Sequence, residues 1–236
     1  MSIPLHKKIS EDLLQKIKSG VYAENELIPT EHELVEMYGV SRPTIRHALQ
    51  SLVNQGYLEK RKKRGTVVTK PKFQQEFTHV IESFDSEMSR KGIAPKTKIL
   101  NFKVTAASEE VAENLQLKKG DKVYKLIRLR YAEDKPVVLV TSYIPFKQFP
   151  NFLEIDFTKE KLYKSLEEAG HPVISVSRKL EVIKADETTS DLLDVEIDEP
   201  LFYFHTQGFT HERRPVEYSI SKYRGDLNYF VFELSQ

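Results

Sequence analysis

Leu27-Ile28-Pro29-Thr30-Glu31-His32-Glu33-Leu34 and, a few residues later, Ser41-Arg42-Pro43-Thr44-Ile45-Arg46-His47-Ala48-Leu49 decide how this chain is read. Thr30 stands before an acidic run, and Glu33, three residues on, can bond back to its backbone, the reciprocal pattern of a capping box. Leu34, Val35 and Tyr38 give the helix a short apolar face, Gly39 stops it, and Val40 packs inside the turn. Ser41 opens the next helix as its N-cap. Ile45, Ala48, Leu49, Leu52 and Val53 recur at the spacing of one buried helical stripe. What remains outward near the start is Arg42, Thr44, Arg46, His47 and Gln50. In a helix-turn-helix that is the part which meets the major groove first.

Upstream, Leu5, Ile9, Leu13, Leu14 and Ile17 lie along one face of a helix that Ser19-Gly20 ends. Downstream, Gly56 closes the third helix. Leu58-Glu59-Lys60, the basic run Lys60-Arg61-Lys62-Lys63-Arg64, Gly65 and Thr66-Val67-Val68 follow, two short strands around a basic, glycine-tipped loop. A run of Lys and Arg is most often a solvated surface, and Arg42 and Arg46 alone could be a solvated helix face. The conjunction of capped helix, glycine turn, donor-bearing helix and basic wing points instead to double-stranded operator DNA.

Charge divides the same way. The net is +1, but residues 1–70 hold 12 Lys/Arg against 8 Asp/Glu, while residues 71–236 hold 24 against 27. A basic head on an acidic body implies that only the head meets a polyanion. With 236 residues, 39% hydrophobic and 30% charged, the chain is sized for two globular domains. No apolar run reaches the ~20 residues of a membrane span, and Met1 to Ser10 lack the apolar core of a secretory signal, so a cytoplasmic protein with no membrane partner is expected. Cysteine is absent, which removes disulfides, thiol nucleophiles and thiolate zinc sites. No metal-ligand spacing, phosphate loop or Ser/His/Asp pattern stands out, so no cofactor, no metal and no catalytic residues are expected. His171, His205 and His211 are scattered.

The expected organisation is a winged helix-turn-helix over 1–69, a linker over 70–78, where periodicity is low, and a second domain over 79–236. That domain opens with a helix marked by Ile81, Phe84 and Met88 that ends near Gly92. Strands are expected near 97–105, 122–131, 137–144, 175–185, 200–210 and 215–223, with helices near 107–116, 159–169 and 186–193. The result is an α+β domain with an antiparallel sheet. An internal repeat organises it. Ala107, Leu115, Leu117 and Gly120 to Tyr124 parallel Ala185, Leu193, Val195 and Asp198 to Phe202, and each set runs on through a strand, a turn, a Pro-Val and another strand. Two βαββ-like halves about a pseudo-twofold, with a cleft between them, are expected. Arg128 and Arg130 alternate on one strand and so project from one face ~7 Å apart. Their counterparts in the second half are Thr206 and Gly208, so architecture does not demand the arginines. Two guanidiniums on one face can clamp a phosphate or carboxylate. The other reading is a solvated sheet face paired with Glu133 or a similar acid.

The three ordered N-terminal signatures, ending in Gly65-Thr66-Val67-Val68, resemble the GntR-family winged helix over nearly all of residues 5–68. The resemblance implies that Arg42, Thr44 and Arg46 touch bases or phosphates. It places Ser41 and Thr30 on the DNA backbone, and Gly65 at a wing tip in the minor groove. Pro43, His47, Lys62, Lys63, Arg64 and Thr66 fall within the matching segments. His32 stands where the family usually has Arg. The second domain resembles the UTRA effector domain, chorismate lyase-like in fold, of the HutC-type branch. That likeness is carried by Ser83-Phe84, Lys125 to Arg130, Thr141 to Phe146, Leu162-Tyr163, Val216-Glu217-Tyr218 and Tyr223 to Asp226. It implies a homodimer and a small effector. Arg128 and Arg130 would hold the effector's anionic group, Ser83, Phe84 and Asp85 would lie at the adjoining helix start, and Tyr163, Glu217 and Tyr223 would line the cleft. Sugar-phosphate-sensing members carry Glu at the position of Val140, Thr at that of Asp85 and Ser at that of Lys161. Val140 removes a sugar-hydroxyl acceptor, and Asp85 would repel a phosphate unless Lys161 offsets it. Tyr163 and Tyr223 could equally be core packing, and Glu217 with Arg224 a structural ion pair. The expected function is a dimeric repressor released by a small anionic effector, a phosphorylated sugar before a non-phosphorylated carboxylate or sugar. Lyase-type catalysis is the remaining alternative.

Overall fold

The computed structural model of the chain describes residues 4–62, 64–69, 72–75, 84–132 and 134–232. They form two compact units, Met1–Phe73 and Gln74–Gln236. The division falls within the segment expected as linker, which also holds a short strand, β3 (Phe73–Gln75). Three residues are too few to show a period in sequence.

The first unit is three helices and a hairpin: α1 (Leu5–Lys18), α2 (Glu31–Tyr38), α3 (Arg42–Asn54), β1 (Leu58–Arg61) and β2 (Gly65–Val68). Ile9 and Leu13 of α1, Leu34 of α2, and Ile45, Ala48, Leu49 and Leu52 of α3 form one core with Leu58 and Val68 of the hairpin. Leu5, expected in the apolar stripe, is exposed instead, in the first turn of α1. The capping box on α2 is complete. The Thr30 hydroxyl accepts from the Glu33 N–H at 3.3 Å, and the Glu33 carboxylate accepts from the Thr30 N–H at 2.7 Å. Thr30→Ala should therefore lower unfolding stability by about 1 kcal/mol, read as a shifted denaturant midpoint at unchanged slope. Gly39 ends α2 at φ 61°, a left-handed conformation that glycine adopts without penalty. Ser41 occupies the N-cap position of α3, but its hydroxyl pairs with that of Thr44 at 2.9 Å instead of capping a backbone amide. Pro43 fits the first turn, where an N–H has no helical partner anyway.

The second unit is a six-stranded antiparallel sheet. Its strands are β4 (Pro95–Ala106), β5 (Lys122–Ala132), β6 (Lys135–Pro145), β7 (Ser175–Lys184), β8 (Pro200–Phe209) and β9 (Pro215–Arg224), in spatial order β4-β5-β6-β9-β8-β7. Helices α4 (Phe84–Arg90) and α6 (Leu162–Glu168) belong to the same unit, as do α5 (Glu109–Leu115), α7 (Glu187–Leu193) and two 3₁₀ turns, Phe146–Gln148 and Phe152–Glu154. A last strand, β10 (Asn228–Phe230), pairs with β3.

The repeat expected from sequence is written into the backbone. Strand order reads the same from either edge, with β6 and β9 paired at the centre. The Ala107 N–H donates to the Asp121 carbonyl at 2.8 Å, and the Ala185 N–H to that of Glu199 at 2.9 Å. Gly120 donates back to Ala107, and Asp198 to Ala185. Helices α5 and α7 both end in a left-handed residue, Gln116 at φ 54° and Asp194 at φ 53°. Each helix crosses to the other half: α5 packs on β9 and α7 on β6. One sheet face is thus covered by α5 and α7. The opposite face carries an aromatic-rich core at the α6 end, with Tyr124, Phe149, Phe152 and Phe157 around Leu126, Ile144 and Leu166.

Candidate functional site

In the first unit the outward face of α3 stands clear of the protein. Ser41, Arg42, Pro43, Arg46 and His47 are exposed and Thr44 is half-buried. The side chains of Arg42 and Arg46 are 73% and 64% accessible. Glu31, at the start of α2, holds both: Arg42 Nε lies 3.0 Å from one carboxylate oxygen and Arg46 Nε 3.9 Å from the other. The pairing sets the two guanidiniums side by side before any DNA arrives. Thr30 is exposed, and so is His32, whose ring lies 3.5 Å from Glu36. In the wing, Arg61 pairs with Gly65 across the hairpin and Lys60 with Thr66. Lys62, Arg64 and Gly65 are exposed and Thr66 is half-buried, whereas Lys63 lies outside the described residues. Gly65 has φ 111°, and an added Cβ would come within 3.0 Å of Leu27. The hairpin tip therefore requires glycine for its conformation, whereas the exposed Leu27 side chain has room to give way.

In the second unit a cavity of about 110 Å³ lies on the sheet face opposite α5 and α7. Its floor comes from the central strands: Val140 and Ser142 of β6, Ser219 and Ser221 of β9, Phe204 and Thr206 of β8. One wall is α4, with Phe84, Asp85 and Glu87; another is the start of α6, with Lys161, Leu162 and Tyr163. Arg128 and Arg130 enter from β5, Arg178 from β7 on the far side, and Glu217 and Tyr223 from β9. Of the residues expected at an effector site, all line this cavity except Ser83, which lies outside the described residues.

The two β5 arginines are buried, so the solvated-face reading does not hold. Arg130 Nη1 lies 3.0 Å from Asp85 Oδ2, and its guanidinium sits 5.3 Å from the centre of the Phe84 ring. Arg128, only 4% exposed, donates from Nη2 to the Ser142 hydroxyl at 3.1 Å. Its Nε is buried and has no hydrogen-bond partner among the described residues. Burial, with the like charge of Arg130 second, pushes the Arg128 pKa down to about 9. Glu217 and Asp85 offset part of that cost, but with its Nε unbonded the guanidinium remains short of the partners that a buried cation needs.

Glu217 is also buried. Tyr163 donates to its Oε2 at 3.3 Å, and the hydroxyls of Ser219 and Ser142 bond to it as well. Desolvation still wins, holding this carboxyl above the usual range. The expected alternative, a Glu217–Arg224 ion pair, is not formed; Arg224 pairs with Asp226 at 2.8 Å. Tyr163 and Tyr223 are pushed up by burial and stay neutral hydroxyls. Lys161 donates to Ser86 at 2.7 Å, tying α6 to α4. Arg178 and Glu87 were not singled out in the sequence. Glu87 pairs with Lys91 at 2.7 Å, an i, i+4 spacing that was legible, while the position of Arg178 depends on sheet order.

The comparisons with known proteins match this division of labour. Residues 5–68 match the bacterial regulatory proteins of the gntR family, and residues 90–227 match the UTRA domain. The chain belongs to the GntR family, with a UTRA domain. Among similar proteins is the HTH-type transcriptional repressor NagR of Bacillus subtilis, 30% identical over 230 residues, 97% of this chain and 94% of that protein. Another is the mannosyl-D-glycerate transport/metabolism system repressor MngR of Escherichia coli K12, 29% identical and covering 94% and 92%. The crystal structure of PhnF from Mycobacterium smegmatis shares the fold, with TM-score 0.77 at 23% identity over 98% of this chain and 99% of that one. As a GntR/UTRA protein the chain is a DNA-binding regulator whose second unit answers a small molecule. Among the described residues no helix is long and apolar enough to cross a membrane.

Proposed function

We propose that this chain is a dimeric repressor of the HutC-type branch, released from its operator when a small anionic effector, a phosphorylated sugar, enters the cavity. One observation carries the reading: the buried Arg128, with an unpartnered Nε on the cavity wall. An unmade hydrogen bond on a desolvated cation costs free energy, which an entering anion returns as charge-assisted bonding. The hydroxyl floor of Ser142, Ser219, Ser221 and Thr206 suits a polyhydroxylated body, and Arg178 adds positive charge on the opposite side. Val140 offers no hydroxyl partner, so the sugar's contacts fall towards β9 and β8. Two copies would set two α3 helices on a palindromic operator about one helical turn apart. Effector and DNA then oppose one another by a single coupling free energy. The repressor names of NagR and MngR support this direction of control.

A second reading, a carboxylate-bearing effector, is favoured by the Arg130–Asp85 ion pair, which already commits one guanidinium to an anion. MngR, named for mannosyl-D-glycerate, fits it too. Thermal unfolding with sugar phosphates, free sugars and sugar carboxylates separates the readings. A ligand at a hundred times its Kd adds about 2.7 kcal/mol to stability, a rise of several degrees. A rise with sugar phosphates supports the first reading, with carboxylates alone the second, and with neither sinks both. We read the unit as a sensor and not a lyase. His205, the strand histidine, lies away from the cavity lining, its Nδ1 2.6 Å from the Tyr218 hydroxyl. Turnover of any bound metabolite would overturn this.

The raised pKa of Glu217 gives a pH test. Its carboxylate form repels an anion held by Arg128, and it takes up a proton at higher pH than a free glutamate does. Sulfate, whose charge is constant from pH 7 to 5, should therefore bind more tightly as pH falls over that range. Titration calorimetry should find the slope flattened in Glu217→Gln. An equal slope in both proteins would remove Glu217 from the anion site.

A further inference from the structure

The two edges of the six-stranded sheet are built differently. The β4 edge starts at Pro95, breaks register between Ile99 and Asn101, and carries Lys96, Lys98 and Lys103. Proline, a bulge and lysines are devices that spoil pairing with another strand. The β7 edge has none of the first two. It runs in unbroken register with β8 from Ser175 to Lys184. On its cavity-side face it exposes Leu180 at 38% and Val182 at 66%, and on the other face the accessible Lys179 and Glu181 pair with each other at 2.9 Å, an exchangeable surface pair. A long, regular edge with exposed branched residues is a template for another strand.

We propose that β7 is where two copies of this chain join, antiparallel, about a twofold axis centred on Leu180 and normal to the sheet, giving one continuous sheet of twelve strands. Charge fixes the register. Centring on Leu180 sets Lys179 opposite Glu181 of the second copy, twice by symmetry, and Leu180 against its own equivalent. Centring on Lys179 or on Glu181 sets like charges face to face. A centre between two residues is excluded, because a twofold normal to the sheet keeps each side chain on its own face and directly opposed residues share a face. Directly opposed unlike charges stabilise a strand pair and like charges weaken it, so one register is favoured. The interface is isologous, as a closed dimer requires. It also places Arg178, the cavity's far-side arginine, two residues from the axis, so that each cavity wall borders the dimer seam.

This proposal rests on the dimeric reading above, and the test separates the two. Sedimentation equilibrium is run on the full chain and on Lys179→Glu, Glu181→Lys and the double reversal. These are surface positions, so the fold is kept, which circular dichroism checks. Each single reversal should weaken the dimer about tenfold by facing two like-charged pairs, and the double should return it to within about threefold of the original. Independently, hydrogen exchange on the unaltered chain should show β7 amides losing protection on dilution from dimer to monomer. A dimer indifferent to all three variants, with β7 exchange independent of concentration, overturns the β7 seam and leaves a dimeric repressor joined elsewhere. A chain that stays monomeric at every concentration overturns both.

Discussion

Arg128→Ala is expected to lower the affinity of the cavity for its anionic effector by about a hundredfold, the usual scale for truncating one partner of a desolvated, hydrogen-bonded charge pair. Calorimetry or the ligand-induced rise in melting temperature reads the loss directly. The substitution should also uncouple the regulator: operator DNA would stay bound at effector concentrations that release the original protein. A control distinguishes this from damage to the fold. Without ligand, Arg128 is a desolvated cation with an unmade hydrogen bond, so it contributes little to stability or subtracts from it. Arg128→Met, which keeps bulk without charge, should melt no lower than the original while losing the anion response. Retention of effector affinity in either variant would end the anion-clamp reading.

Arg46→Glu is expected to lower operator affinity by about three orders of magnitude. A lost base or phosphate contact costs about 1–3 kcal/mol, a dimer loses two of them, and each new carboxylate adds repulsion from nearby phosphates. Because the side chain is exposed, the unfolding curve should move little, by no more than the roughly 1 kcal/mol of its surface pair with Glu31. The measurement is fluorescence anisotropy on a duplex selected from a random pool by the unaltered protein. Removing one phosphate contact per copy should also lower the slope of log affinity against log salt by about 2 for the dimer. Intact affinity would mean that α3 is not the reading helix.

The helix-turn-helix was legible because its determinants are local. A capping box, a left-handed glycine and an i, i+3, i+4 stripe each involve residues within two turns. Ser41 stands at the N-cap position as expected, although its hydroxyl pairs with that of Thr44, three residues on, and caps no amide. The repeat was legible because two helix-to-strand turns demand the same backbone at Gln116 and Asp194, and similar residues meet that demand. Strands β3 and β10 were not, since three residues carry no period. At the cavity, alternation on β5 gave Arg128 and Arg130. Arg178 was missed because, beside Lys179 and Glu181, it reads as one more solvated strand charge. Its place over the cavity depends on β7 being the far edge of a sheet ordered by long-range pairing. The strand register sets Arg178 where β4 has Ile99, an apolar residue, a correspondence that only the pairing reveals.

A unit ordered β4-β5-β6 that met a copy of itself along β6 would give the same six strands as the present pairing of β6 with β9. Such an ancestor would have been forced to present identical groups to both ends of whatever it held, and could not tell one end of a guest from the other. Fusion into one chain lifts that constraint. Arginines now stand where the second half has Thr206 and Gly208, so a guest with unlike ends has a single preferred direction of entry. Polarity of that kind is open to a duplicated chain and closed to a pair of identical halves.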